Sequence, residues 1–485
     1  MSRSRSRLAT SFRFMNMPQR DSETLWGFVT DYGGLDGRFI ADPRGRLTLG
    51  DLICHPERRV ATEAFRNRSV LLCTGDQLGM ARALAALDGT ARRMVVCPAH
   101  FPQEWLASVM HRAEVDAIVS DVPQVWGDCA DVCGVTSRPD ELAPPGLNVR
   151  HTETEWVLFT SGTTGIPKLV VHTLRTLVGP IDRVRSLGAR SVWSTFYDIR
   201  RYGGLQILLR ALVAGGSMVL SSPRETPAEF LNRLAAEGVT HISGTPSHWR
   251  LALMSGAQDA ISPGYVRMSG EVADQAIIGA LRAAYADATV SHAFASTEAG
   301  LVFDVDDGQA GFPARFVGFP NSAAAIRVQD GSLRVRSGRV ACRYLADALP
   351  PFLDADGFLD TGDMVELRGD RYHFVGRREG VINIGGQKVH PEEVEGIINQ
   401  HPKVRMSLVK ARPSPIVGAI VVADVVPRLP RPISGERSAR ERDSLPGEIL
   451  QLCRDRLAPF KVPASVRIVP GLEIGPAGKL VRSRA

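Results

Sequence analysis

The nine residues Thr160-Ser161-Gly162-Thr163-Thr164-Gly165-Ile166-Pro167-Lys168 constrain this chain more than any other stretch. Trp156-Val157-Leu158-Phe159 precedes them and Leu169-Val170-Val171 follows, and both read as short buried strands. Glycines let a backbone bend close to a ligand with its N–H groups inward. Four hydroxyls add donors and Lys168 adds a mobile positive charge, so the loop suits a polyphosphate. It is not a Walker A loop leading into a helix. Pro167 stands where that motif has glycine, Leu169 cannot ligate magnesium, and the continuation is β-branched. The plain alternative is a Gly/Ser/Thr turn between two strands.

The surrounding chain alternates strands and helices, the mark of an α/β layer structure. Val70-Leu71-Leu72-Cys73, Arg93-Met94-Val95-Val96-Cys97 and Ala117-Ile118-Val119-Ser120 read as strands, with apolar helical stripes over 77–87 and 101–112. Residues 137–148 carry three prolines and form a connector. At 485 residues the chain holds two or three domains, and 44% hydrophobic with 23% charged residues describes a soluble globular protein. The net charge of +6 is partly local: residues 1–20 hold five arginines and no acid, and read as a disordered tail. No apolar run approaches 18 residues, so no membrane span is expected, nor a nucleic-acid partner. Seven cysteines, an odd number, fit a reducing, cytoplasmic setting. Cys129 and Cys133 lack a second pair for zinc and are read as ordinary thiols.

Further clusters follow the loop. Trp193 to Gly204 is an aromatic-rich turn containing Tyr197, Asp198, Arg200, Arg201, Tyr202 and Gly203, and 205–213 reads as a helix. Then come His241 and His248, Val266-Arg267-Met268-Ser269-Gly270-Glu271, His292-Ala293-Phe294-Ala295-Ser296-Thr297-Glu298 and Asp360-Thr361-Gly362-Asp363. Phe374 to Glu395 includes Arg377, Glu379, Gly385-Gly386 and Pro391, and Gly478-Lys479 closes the series. Singly each is ordinary; Asp360 to Asp363, for example, is simply a turn. In this order, however, the chain resembles the AMP-forming adenylating enzymes: acyl-CoA synthetases, peptide-synthetase adenylation domains and luciferases. Thr160 to Lys168 matches that family's phosphate loop at every position.

The resemblance implies a role for each cluster. Thr160, Ser161, Gly162, Thr163, Thr164, Gly165 and Lys168 would bind the ATP phosphates, with Gly270 and Glu271 beside the adenine. Phe294 replaces the family's tyrosine as the ring stacked on adenine, and Ala295 replaces its glycine. Ser296 and Thr297 follow, Thr297 contacting the α-phosphate. Glu298 would hold Mg²⁺, for which one carboxylate beside a triphosphate is sufficient. Asp363 would accept hydrogen bonds from the ribose hydroxyls, and Arg377 would reach ribose and phosphate. Glu379 is the hinge position, Gly385 and Gly386 approach the pantetheine arm, and Lys479 is the catalytic lysine. Tyr197, Asp198, Tyr202 and Gly203 would line the acyl pocket. Asp198 has two readings, a partner for a substrate ammonium or an ion pair with Arg200 or Arg201; the second is favoured. His241 and His248 receive only a weak pocket-lining role, and Trp249 with the aromatic turn suggests an apolar or aromatic acyl group.

The expected architecture is α/β, a large N-terminal domain of layered α/β subdomains over 40–376 and a small mobile α+β domain over 377–485. Residues 1–39 would be an extension and 427–444 a flexible insertion. The implied reaction is activation of a carboxylic acid with ATP and Mg²⁺ to an acyl-adenylate, then transfer to CoA. Loading of a carrier-protein phosphopantetheine is the alternative, and a degenerate nucleotide-binding protein the non-enzyme one.

Overall fold

The computed structural model describes residues 24–52, 61–99, 101–122, 135–144, 151–160, 167–179, 181, 191–318, 324–345, 352–384, 386–414, 418–428, 436–475 and 478–482. The expectations for the first 20 residues and for Cys129 and Cys133 fall outside them.

Two sheets organise the large N-terminal part. One has seven strands, with Glu155–Thr160 and Lys168–Thr173 toward one edge and parallel Arg93–Val96, Ser69–Cys73 and Ala117–Ser120 beyond. The other has eight, ordered Gly300–Val305, Thr289–Ser296, Tyr265–Ser269, His241–Gly244, Val192–Thr195, Ser217–Val219, Phe39–Asp42, Gly45–Thr48. Between them lies one core, built on helices Leu25–Asp31, Gln77–Leu87, Leu174–Val178 and Tyr202–Val213. Helices Pro227–Ala236, Pro246–Met254 and Gln275–Ala284 cover the outer face of the eight-stranded sheet, and Leu106–Arg112 covers that of the other. The result is α–β–α–β–α layering, because strands buried on both faces need helices on both.

Local chemistry sets the helix ends. Asp76 caps Gln77–Leu87 by accepting from Gly79 N at 2.7 Å. Thr226 and Glu229 form a capping box with Pro227 in the first turn, which is why that helix was legible to the residue. Helix Tyr202–Val213 begins three residues before the expected Leu205, since its start lacks a side-chain cap to mark it.

A five-stranded antiparallel sheet, Phe312–Pro313, Arg371–Arg377, Leu359–Arg368, Ser332–Arg336 and Ala325–Gln329, follows with its own aromatic-rich core. The C-terminal part has the hairpin Ile382–Ile384/Gln387–Val389, helix Pro391–Ile398, and a sheet of Val404–Ser414, Gly418–Pro427 and Ser465–Ile468 under helix Glu436–Arg456.

Three expectations need correction. Residues 25–39 are not an extension: Leu25, Trp26 and Val29 are buried in the main core, and Asp88 ties the segment down by accepting from Leu25 N and Trp156 Nε1. The polar run 427–444 is not all a loose insertion, because residues from Glu436 onward open the long helix, where Arg, Glu and Ala are good helix formers. Residues 429–435 lie outside the described residues. Asp360 to Asp363 is not a free turn but an irregular stretch inside strand Leu359–Arg368, where Gly362 takes φ +70° and Asp360 Oδ1 accepts from its N–H.

Candidate active site

The site lies where the two large sheets, the five-stranded sheet and the C-terminal tail meet. Thr160 and Lys168 are cross-strand partners that bring both ends of the glycine-rich loop together. Ser161, Gly162, Thr163, Thr164 and Gly165 lie outside the described residues. Thr160 Oγ1 is buried without a partner, and Lys168 Nζ sits 5.5 Å from the ring centroid of Tyr344. Strand Arg343–Tyr344 pairs against Lys168–Thr173 and delivers that ring. Burial, with Glu298 beside it, pushes the Tyr344 phenol above the ordinary tyrosine range. Lys168, Tyr344 and Glu298 therefore form one group.

Thr297 is held from behind. The His172 ring, fully buried, contacts the Thr297 carbonyl oxygen through Nε2 at 2.7 Å and Thr176 Oγ1 through Nδ1 at 2.8 Å. Burial lowers the His172 pKa to about 4, so the ring is neutral and its Nε2–H donates to Thr297. Ser296 Oγ accepts from Ala299 N, and a register shift at Phe294/Ala295 kinks the strand here. Phe294 belongs to an aromatic stack, 5.0 Å from Phe374 and 5.7 Å from Phe303 between centroids. Its ring thus packs on the core of the five-stranded sheet while staying partly exposed.

Asp363 and Arg377 face each other across adjacent strands, Arg377 Nε donating to Asp363 Oδ1 at 3.1 Å. Asp363 Oδ2 is buried with no partner. Desolvation pushes the Asp363 pKa up and Arg377 opposes it. Arg377 is raised, chiefly by Asp363 and further by Glu298 and Glu379, which puts all four in one electrostatic neighbourhood.

Lys479 arrives on the tail. Thr245 Oγ1 donates to Gly478 O at 2.6 Å and Leu480 N donates to Glu271 Oε1 at 3.1 Å, so both flanking residues are fixed to the large domain. Gly478 has φ +70° and packs on the His248 ring, where a Cβ would collide. Gly270, at φ +87°, would carry a Cβ 3.5 Å from Lys479 Cε. Enclosure lowers the Lys479 pKa, with Arg377 adding to the effect and Glu271 and Asp363 opposing it. Its side chain keeps access to solvent, so this is the wall of an open cleft and not a buried amine. The tail is anchored to the small domain by Arg482, which binds both Glu395 oxygens at 2.8 Å.

Other expected residues divide. Glu271, expected beside the adenine, accepts from Ser247 N and Leu480 N through its two oxygens and so clasps the tail. Tyr197, Tyr202, Gly203 and Ala295 line one cavity behind the cleft, and Tyr197 O–H donates to Ser269 O at 2.7 Å. Asp198 makes the favoured ion pair, holding Arg200 through both carboxylate oxygens at 2.7–3.0 Å; Arg200 in turn donates to Thr74 O. That stitches the aromatic turn to the first sheet. Trp249 is fully buried and donates to Arg267 O. His241 stacks on Trp193, away from the tail. Glu379 is exposed on the turn Arg378–Gly380, and Gly386 faces open space at φ +89°, apart from Lys479; Gly385 lies outside the described residues. His172, Tyr344, Thr245 and Arg482 carry no local sequence signal because their roles arise from contacts across 46 to 233 residues of chain.

The atoms left over suit a nucleotide: an orphan carboxylate oxygen at Asp363, an orphan hydroxyl at Thr160, and cationic Lys168, Arg377 and Lys479 around them. Among the described residues no group of three or more His, Cys, Asp or Glu could hold a metal, so a divalent ion here would rest on Glu298 with oxygens of its ligand.

The architecture is that of structurally known adenylating ligases. The chain superposes on the anthranilate CoA ligase AuaEII in complex with anthranoyl-AMP (TM-score 0.75, 17% identity, 94% of this chain and 95% of that one). It also matches ATP-bound MatB from Rhodopseudomonas palustris (0.74, 20%, 94% and 96%) and the o-succinylbenzoate CoA synthetase MenE from Bacillus subtilis (0.72, 18%, 94% and 96%). The family model for AMP-binding enzymes matches residues 69–340, and that for the AMP-binding enzyme C-terminal domain matches 393–479. The chain belongs to the AMP-binding enzyme family. Among sequence relatives, the 2-succinylbenzoate–CoA ligase of Salmonella typhimurium is 31% identical over 258 residues, 52% of this chain and 53% of that protein. The Staphylococcus aureus enzyme of the same name is 24% identical over 340 residues, 68% and 66%. The chain thus spans about half the length of the first and two thirds of the second. No described helix is long and apolar enough to cross a membrane.

Proposed function

We propose that this protein is an AMP-forming acid–CoA ligase, joining a carboxylic acid to ATP with release of pyrophosphate and then passing the acyl group to CoA with release of AMP. The observation that carries this reading is the convergence of Lys479 on Gly270, Asp363 and Arg377, with Asp363 Oδ2 buried and unpartnered. The chemical problem is attack by a weak carboxylate nucleophile on a phosphorus ringed by negative charge; position and electrostatics have to solve it. Asp363 and Arg377 bind and orient the ribose. Thr160, Lys168 and the glycine-rich loop hold the phosphates. Lys479 offers its ammonium where the incoming carboxylate and the α-phosphate build up charge. His172 positions the Thr297 backbone, and Glu298 would hold Mg²⁺, which supplies charge neutralisation on the phosphates. CoA as acceptor is supported by the named relatives.

Glu379 would be the pivot between a large domain ending at 376 and the small domain beyond it. In the present orientation Lys479 is docked while Gly386 faces open space, which supports a second orientation for the thiol step. The test is carboxylate-dependent exchange of labelled pyrophosphate into ATP, followed by release of AMP on adding CoA. Exchange with CoA-dependent AMP release supports the reading. AMP release with a carrier protein but not with CoA would move the acceptor, and absence of exchange with every acid tried would refute the enzyme.

A further inference from the structure

Helix Pro246–Met254 of the large domain meets the small domain and its tail at two places. At the first turn its N-cap Thr245 holds Gly478 O, and Ser247 N shares Glu271 with Leu480 N. The second place is Arg250, about 7.5 Å further along the helix axis than Thr245. Arg250 Nη2 donates to Asp274 Oδ2 at 2.5 Å, and Asn399 Nδ2 of the small domain donates to the same oxygen at 3.1 Å. Asp274 Oδ1 serves its own helix, accepting from Ile277 N at 3.0 Å as the N-cap of Gln275–Ala284. Asn399 is held from its own side as well. Its side-chain oxygen accepts from Ser407 Oγ at 2.9 Å, and its N–H closes helix Pro391–Ile398 on Glu395 O. The Arg250 and Asp274 side chains are only 11% and 12% exposed. A hydrogen-bond chain therefore crosses the domain boundary in a place largely closed to water, with both ends of the Asn399 amide and both oxygens of Asp274 engaged.

Helix Pro391–Ile398 joins this contact to the tail. Glu395 takes Arg482 through both oxygens, and Arg482 stands three residues after Lys479. The docked tail by itself is a single peptide strap, about which the small domain can still turn. A second contact on the same rigid helix of the large domain fixes that rotation. Asparagine suits the place because its amide donates to a carboxylate and accepts from a hydroxyl at once, which an ionised aspartate cannot do. The bond to Asp274 exists only while the small domain is docked.

Resting on the ligase reading above, we propose that Asn399 is a positioning residue for adenylate formation, with Asp274 as its receptor on the large domain. It acts through the small domain and not on the reacting atoms, fixing the rotation that puts Lys479 in the cleft. The thiol step, which uses the other orientation, does not need it.

The experiment measures the two half-reactions separately in the full chain. Exchange of labelled pyrophosphate into ATP is run across a panel of aliphatic and aromatic carboxylic acids, and thioester formation starts from the pre-made adenylate of the acid used best. Asn399→Ala should slow exchange about tenfold, the lower end for a hydrogen bond to a charged group, and leave ATP affinity and thioester formation within about twofold. Asn399→Asp keeps the size and the acceptor for Ser407 but sets a carboxylate against Asp274, so exchange should fall by roughly a further tenfold. Adding Asp274→Asn reverses the pair, keeps a good N-cap and leaves Arg250 a carboxylate partner, and should return exchange to within about threefold of wild type. Equal loss in both half-reactions, the mark of a merely structural role, overturns the proposal. So does unchanged exchange in folded Asn399→Ala, or a reversed pair that recovers none of the loss. Should a charge variant fail to fold, the half-reaction split in Asn399→Ala decides. Wild-type exchange that is indifferent to Asn399 overturns this proposal alone, whereas no wild-type exchange with any acid overturns the ligase reading with it.

Discussion

Replacing Glu271 with alanine separates two readings of that residue. Its carboxylate accepts from Leu480 N at 3.1 Å, next to Lys479, and from Ser247 N at 2.9 Å in the first turn of helix Pro246–Met254. Only the first bond depends on the tail being docked. A hydrogen bond to a charged group contributes about 1.5–3 kcal/mol. At 1.4 kcal/mol per tenfold, its loss shifts the docked tail toward release by roughly 10- to 140-fold. Glu271 is partly exposed, and Thr245 still holds Gly478, so the lower end applies: roughly tenfold. We expect Glu271→Ala to slow pyrophosphate exchange about tenfold, to leave ATP affinity within about twofold, and to leave thioester formation from pre-made acyl-adenylate unchanged. Stopped-flow exchange, nucleotide titration and the isolated second half-reaction measure the three. A matching loss of ATP affinity with no separate effect on exchange would refute the clasp and restore Glu271 as a nucleotide ligand.

Further expectations follow from the same geometry. Lys479→Ala should slow adenylate formation by roughly a hundredfold or more while thioester formation from pre-made adenylate survives; equal loss in both steps would count against its role. Glu379→Pro should uncouple the two half-reactions, retaining exchange and losing thioester formation, since proline fixes φ and removes an N–H at the pivot; parallel losses in a folded protein, or no change in either, would reject the hinge. His172 has a folded pKa near 4, below its value of about 6.5 in an unfolded chain. Its contribution to stability is therefore complete above pH 6.5 and declines as pH falls toward 4, by up to about 1.4 kcal/mol per pH unit. Urea midpoints at pH 7 and pH 5 should differ by more in the wild-type protein than in His172→Gln, and equal differences would show that the ring titrates freely.

Much of the fold was legible because its signals are local. The capping box at Thr226 with Pro227 and the apolar runs around Val70, Val95 and Ile118 state their structures without reference to anything distant. The order of the glycine-rich loop, the Thr297-Glu298 pair, Asp363, Arg377 and Gly478-Lys479 placed the candidate site. What escaped was non-local. Glu271 reads as part of a base pocket until the tail arrives 209 residues later to occupy it. Trp249 looks like a pocket wall in sequence, yet its indole fills the core under Arg267. Residues 25–39 read as an extension because four glycines break up their apolar residues, and only the packing of Leu25 and Trp26 between the sheets gives them a place.

The most direct test of the central claim follows one oxygen atom. If the carboxylate attacks the α-phosphorus, one oxygen of the acid must leave bound to AMP when the thiol takes the acyl group. Carboxyl-¹⁸O-labelled acid, ATP and CoA, turned over by the enzyme and analysed by mass spectrometry, should give AMP carrying one ¹⁸O per thioester formed and unlabelled pyrophosphate. Label in phosphate or pyrophosphate, or AMP formed without label, would contradict the account.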